Sequence, residues 1–242
     1  IGFGIPGSIK NGYADTTNLP LKNVPIEEIL KKRFDVPIYV LNDANCAAVG
    51  ECAAGMGKDA ESFVMITLGT GIGGGIIVGK KLFCGRGNAG EFGQMSIKYD
   101  GTEHECGICG CWEDYASVSA LIKAAEEAAR QNADSILYRV YSENKKLDGK
   151  MFFDVLDAGC KTAQRVFDEY LKYLSVGINN LIQVFDPEMI VISGGITNAG
   201  DRLLKPLTEL MEKYDFAVPI YFSKLKNDAG VIGAARIKDF VQ

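Results

Sequence analysis

Apolar and polar positions alternate along the chain with two periods, near two and near 3.6 residues, and this predicts layered strands and helices. Residues 1–5 read as a buried strand already under way, closed by the Pro6-Gly7 turn pair. Residues 9–25 show little periodicity and are expected to form loop. Residues 26–33 predict a short helix. The apolar run 36–41, with Pro37 near its start, predicts a buried parallel strand. Small residues across 44–55 suit a closely packed helix. The stretch "SFVMITLGTGIGGGIIVGKKLF" then reads as strand, glycine turn, strand, turn, strand. From Trp112 a long helix is expected to about Asn132, with Leu121, Ala124, Ala125 and Ala128 on its apolar face. Residues 135–141 look helical, 144–149 look like loop, and a helix over 151–158 is closed by Gly159. Residues 161–185 carry a single stripe of Val166, Tyr170, Leu174, Ile178, Leu181 and Phe185, and most such stripes are simply core. A strand at 189–192, a helix opening near Asn198, a strand at 218–222 and the final helix "DAGVIGAARIKDF" complete the pattern. The expected architecture is a mostly parallel α/β sheet, with residues 91–185 inserted as a helical, metal-bearing layer.

Composition narrows the function classes. At 242 residues and 47% hydrophobic, the chain can bury a core as one large or two modest domains. A net charge of -5 with no run of lysines or arginines argues against a nucleic-acid surface in this segment and suits an acidic small-molecule enzyme. No apolar run reaches the ~18 residues of a membrane span and no leader precedes the first strand, so a cytoplasmic location without a membrane partner is expected. Because the first strand begins without an initiator methionine, the natural protein is expected to extend further toward its N-terminus, with a functional part there.

Candidate chemistry concentrates in "EFGQMSIKYDGTEHECGICGCWE", residues 91–113, which holds the only histidine and three of the seven cysteines. His104, Cys106, Cys109 and Cys111 are spaced as HxCxxCxC, and Gly107 and Gly110 allow a tight fold around a centre, as a tetrahedral zinc knuckle needs. The alternative is a set of reduced thiols sharing a loop. A redox pair fits less well, because its CxxC should open a helix after a strand. Asn42-Asp43 stands at the carboxyl end of a predicted strand, the edge where open α/β sheets bind ligands. Asp43 is read either as a functional carboxylate or as the cap of the helix that follows. The turn Gly69-Thr70-Gly71 can point amides and a hydroxyl at an anion, although hairpins use the same residues, and no GxxxxGK[ST] is present. Gly194-Gly195 before a helix suits a nucleotide phosphate or adenosine.

Taken in order, "IPG", "NDAN", "LGTGIGGGII", "NAGEFG", "CGICGCWE", "DPEMIVISGGI" and "AGVIGAA" resemble the ROK family of sugar kinases and sugar-responsive repressors. The resemblance implies an actin-like, hexokinase-type ATPase fold of two α/β lobes around a cleft. Residues 1–43 would be the remainder of the N-terminal lobe and 44–242 the C-terminal lobe, with the final helix returning to the first. It implies an ATP-dependent hexose kinase, glucokinase-like, with Asp43 as general base and Asn42, Glu91 and Glu113 holding sugar hydroxyls. Gly69, Thr70 and Gly71 match the second phosphate turn, and Gly194 and Gly195 the adenosine motif. ATP, Mg2+ and a structural Zn2+ are the implied cofactors, and a homodimer or homotetramer the implied assembly. The family's first phosphate motif, a DxGGT turn, is not in this chain, so the chain by itself is expected to be a poor kinase. Gln94 replaces a family histidine that ligates zinc, while His104 stands where many members have the first cysteine. The expected metal set is therefore His104, Cys106 and Cys111, with Cys109 as fourth ligand, or the Gln94 oxygen or water if Cys109 cannot reach. The alternatives are the sugar-sensing domain of a ROK-type repressor, an N-acetylhexosamine or fructose kinase, and a catalytically silent zinc-stabilised module.

Overall fold

The computed structural model of the chain describes residues 1–16 and 19–241. Strand β1 (Gly2–Ile5) pairs in parallel with β4 (Tyr39–Asn42) in a two-stranded sheet. Between them, β2 (Ser8–Lys10) and β3 (Tyr13–Asp15) form an antiparallel hairpin where the sequence pattern suggested loop. The cause is Asn11-Gly12, both at positive φ (52° and 80°), the backbone a tight two-residue hairpin turn requires. Residues 17 and 18 of that expected loop lie outside the described residues. Helix α1 (Ile26–Lys31) is short and has no buried residue.

Helix α2 (Asp43–Ala54) leads into a five-stranded sheet of order β7-β6-β5-β8-β9. Its strands are β5 (Phe63–Leu68), β6 (Ile72–Val78), β7 (Lys81–Leu82), β8 (Ile190–Ser193) and β9 (Ile220–Phe222). The sheet is mixed and not mostly parallel: β5, β6 and β7 run antiparallel, whereas β5, β8 and β9 run parallel. The short Gly69–Gly71 connection leaves no room for a crossover, so β5 and β6 must form a hairpin.

The helical layer comprises α3 (Glu113–Ala116), α4 (Val118–Gln131), α5 (Ile136–Asn144), α6 (Gly149–Asp157), α7 (Lys161–Phe185) and α8 (Asp201–Met211). The single helix expected from Trp112 is broken in two. Ser117 turns extended (ψ 164°), and its side chain accepts the Ala120 N–H to cap α4. Gly159, at φ 74°, closes α6 as its position suggested. Alternate residues of β5 feed two cores: Val64, Ile66 and Leu68 face the helical layer, and Phe63 and Met65 face α2.

The last helix, α9 (Asp228–Phe240), lies across α2 and also packs on β1. The contact is backbone to backbone: a Cβ on Gly50 would overlap the Ala229 carbonyl, and one on Gly233 would overlap the Cys46 carbonyl. Beside it Glu51 is wholly buried, yet its carboxylate is fully engaged. Oε1 accepts from the Ser223 hydroxyl (2.6 Å) and the Leu225 N–H (2.9 Å), and Oε2 from the Met56 N–H (2.6 Å) and the Lys224 N–H (3.3 Å). One side chain thus ties the end of α2 to the segment that leads into α9. Gly233→Ala is expected to destabilise the fold by about 1–3 kcal/mol through overpacking. Urea unfolding checks this, and an unchanged midpoint would mean that the two helices stand further apart.

Candidate active site

The carboxyl end of β4 delivers the first group. Asn42 is the N-cap of α2: Oδ1 accepts the Ala44 N–H (2.8 Å) and the Asn45 N–H (3.2 Å), and Nδ2 donates to the Gly7 carbonyl (3.0 Å). The capping role considered for Asp43 belongs to Asn42. Asp43 is left as the first helical residue, exposed, with only its Oδ1 engaged, by the Ala44 N–H (2.9 Å). Cys46 beneath it is buried against Gly4, and burial, followed by the Asp43 charge, pushes its thiol up to about 12. It stays protonated and is no nucleophile.

The glycine turn supplies the facing wall. Gly69 N–H donates to the Gly71 carbonyl (3.1 Å), and the Gly69 carbonyl accepts the Val118 N–H (2.9 Å), which fixes the turn to the start of α4. Glu113 reaches over this turn, and its Oε2 accepts the Ile72 N–H (3.1 Å). A side chain at Gly71 would collide with that oxygen, so the glycine is needed for the carboxylate to approach. Glu113 is held from behind by its neighbour. Trp112 is fully buried, donates Nε1–H to the Tyr173 carbonyl (2.9 Å) and fills the space left by Gly177.

These elements enclose a cleft of about 350 Å3. Its lining brings together Asn42, Asp43, Gly69, Thr70, Gly71, Glu91, Glu113, Gly194 and Gly195, the full set of expected sugar, phosphate and adenosine residues. The Glu91 carboxyl is pushed above its ordinary value, first by desolvation and then by the charges of Glu113 and Asp43. Gly69, Thr70 and Gly195 also line a larger pocket of about 990 Å3. Leu68, Val118, Leu121, Ile122, Phe153 and Ile196 give it an apolar wall, and Lys123 and Lys146 add positive charge. No pattern along the chain points to this second pocket, because its residues come from separate helices and turns and read as ordinary amphipathic pattern.

Next to Glu113 lies the thiol cluster. The ligating atoms of His104, Cys106 and Cys111 fall within 4.8 Å of one another, and the two sulfurs are 3.4 Å apart. His104 Nδ1 accepts the Cys106 N–H (3.3 Å), while Nε2 lies 3.3 Å from Glu113 Oε1 and 3.8 Å from Asp114 Oδ1. The pairing of His104 with Cys106 raises the imidazole pKa and lowers the thiol's. Cys109 stands outside this group and is exposed. Its backbone bridges to Glu103 and its carbonyl accepts the Ser96 hydroxyl (2.7 Å). Gly110, at φ 71°, kinks the chain so that Cys109 and Cys111 do not share a face. Gln94 is exposed at the end of a 3-10 segment, with its carbonyl 3.7 Å from Cys111 Sγ.

Grouping of carboxylates has a consequence for stability. With a folded-state pKa raised above 4.5, Glu91 contributes stability below 4.5 that is lost as pH rises through the raised value. Glu91→Gln should therefore raise the melting temperature at pH 7, with the gain vanishing near pH 4, as thermal melts across that range will show.

The ROK family model matches residues 1–239. A glucokinase from Halalkalibacterium halodurans is 38% identical, over 96% of this chain and 74% of its own length. A xylose repressor from Caldicellulosiruptor bescii is 30% identical, over 96% of this chain and 60% of its own. The crystal structure of a ROK family glucokinase from Streptomyces griseus, in complex with glucose and AMPPNP, superposes with a TM-score of 0.83 at 32% identity. That likeness covers 98% of this chain and 80% of the other. The fold is thus the hexokinase-type α/β fold, and the chain belongs to the ROK family.

Proposed function

We propose that the chain carries the sugar and nucleotide sites of an ATP-dependent hexose kinase of the glucokinase kind, with Asp43 as general base. The observation that carries this reading is the single cleft in which Asp43, Glu91 and Glu113 meet the glycine turns at 69–71 and 194–195. The likeness to a glucokinase bound to glucose and AMPPNP supports it.

Ala44 N–H occupies Oδ1 of Asp43, which leaves Oδ2 to take the proton of the attacking sugar hydroxyl. Glu91 and Glu113 orient the remaining hydroxyls; Glu113 is held by Ile72 N–H, so its position does not depend on the substrate. The turn at 69–71 and the glycine pair lie where the cleft meets the larger pocket, so phosphates would sit at that junction and the adenine against the apolar wall. Mg2+ arriving with ATP supplies charge neutralisation on the phosphate oxygens. The donor set suits Zn2+, since two thiolates at ~2.3 Å from a tetrahedral metal stand about 3.8 Å apart and the two sulfurs here are 3.4 Å apart. His104, Cys106 and Cys111 would hold it, with the imidazole's other nitrogen on Glu113, as a histidine ligand is usually oriented by a carboxylate. Its role would be structural, with His104, Cys106 and Cys111 fixing the loop behind Glu113 through it.

A second reading, the sugar-sensing domain of a repressor, is favoured by the likeness to the xylose repressor. A coupled ADP-release assay on the protein, with glucose, fructose, mannose, N-acetylglucosamine and N-acetylmannosamine, separates the two. Turnover on one sugar supports the kinase and names its substrate; sugar binding with no turnover on any of them supports the sensor. Asp43→Asn should lower turnover by roughly 10²–10⁴-fold, the usual worth of a general base, while sugar affinity stays within a factor of a few. Unchanged turnover would remove Asp43 from the mechanism. Cys106→Ser should abolish bound zinc in elemental analysis, and a metal content equal to the parent's would count against the knuckle.

A further inference from the structure

Asn45 is the second asparagine of "NDAN", and no role in the cleft follows from its place in the sequence. In the structure it lies in the first turn of α2, is 5% exposed and lines the same cleft as Asp43 and Glu91. Its carboxamide Oδ1 is buried with no hydrogen-bond partner among the described residues. Such orphaned acceptors are uncommon in native proteins and call for a missing partner. The positions a Cβ would take on Gly75 and Gly90 stand 3.3 and 3.7 Å from Oδ1, and those places are already filled by the Ala48 methyl and the Gly74 carbonyl, so a partner must come from the cleft side that Asn45 lines. Gly90 and Gly74 belong to the cleft lining, and Glu91 follows Gly90 directly. Asn42, by contrast, has its oxygen engaged twice and its nitrogen once, which leaves one N–H for any substrate.

Resting on the reading of the cleft as a sugar site, we infer that Asn45 is a specificity-determining residue whose carboxamide hydrogen-bonds a ring hydroxyl of the bound hexose, beside the hydroxyl held by Glu91. A hydroxyl is the fitting partner because it can donate to a carboxamide oxygen and accept from a nearby donor at once. A site built around such a bond rejects the analogue that lacks the hydroxyl, since the buried oxygen is again left alone.

Calorimetry with glucose and with 2-, 3- and 4-deoxyglucose, on the unaltered protein, Asn45→Ala and Asn45→Asp, forms a cycle between one side chain and each hydroxyl. The unaltered protein should lose roughly tenfold in affinity for one deoxy sugar, the worth of one hydrogen bond at a buried acceptor. Asn45→Ala should bind glucose about as weakly as that analogue and no longer distinguish the two. Asn45→Asp, which keeps the shape and an acceptor oxygen, should retain the distinction. If every deoxy sugar keeps its full penalty in Asn45→Ala, the side chain serves only packing or an internal water, and the inference fails alone. If the unaltered protein binds none of the four sugars, the sugar-site reading fails and this inference with it.

Discussion

The contact of α2 with α9 is the constraint on which the rest of the structure depends. Two helices can approach until their backbones touch only where no side chain intervenes, and Gly50 and Gly233 provide that gap. The buried Glu51 carboxylate then fixes their relative position, because its four donors come from the end of α2 and the segment leading into α9. A buried charge is tolerable only when it is hydrogen-bonded this fully. Asp43 sits at the far end of the same helix, so the place of the candidate base is set by packing some turns away from it. The small sheet depends on the same contact, since β1 lies against α9 at Gly2 and against α2 at Gly4.

Within the cleft, stability and chemistry pull in opposite directions. Burial comes first in raising the Glu91 pKa, and the charges of Glu113 and Asp43 beside it add to that. Folded proteins accept such groupings where a ligand uses them. Glu113 is the most constrained of the three: Ile72 holds one oxygen, His104 faces the other, and the buried Trp112 fixes the backbone beside it. The thiol cluster and the Glu113 carboxylate therefore form one unit, with only Trp112 between Cys111 and Glu113 in the chain.

Much of this was legible in the residues, and the failures have identifiable causes. The boundaries of α7 agree with expectation because its apolar stripe is strong, and those of α9 agree because its small residues mark a closely packed helix. The β2–β3 hairpin is not legible as strand because three residues are too few for alternation to register; the signal is Asn11-Gly12 alone. The break at Ser117 escaped notice because periodicity continues across it, although a serine before an apolar run is a capping signal. The residues expected to form the site, at 42–43, 69–71, 91, 113 and 194–195, stand out through their motifs, and the structure gathers them in one cleft. Spacing suggested four metal ligands, but it cannot report the turn at Gly110 that sends Cys109 away. The orphaned oxygen of Asn45 is a property of packing, and no pattern along the chain records it.

The hairpin made by β5 and β6 carries one more consequence, for how this sheet can drift over generations. Because neighbouring strands place side chains on opposite faces with period two, a single residue inserted between Gly69 and Gly71 would shift β6 by one position. Gly73 and Gly75, which now lie against α2, would be exchanged for residues of the opposite face, and bulky isoleucines would meet the helix that carries Asp43. The length of this turn is therefore locked by the sheet as firmly as by any phosphate. Insertions and deletions that retune the protein for another sugar must accumulate elsewhere, in surface turns such as residues 85–88 whose length no strand register dictates.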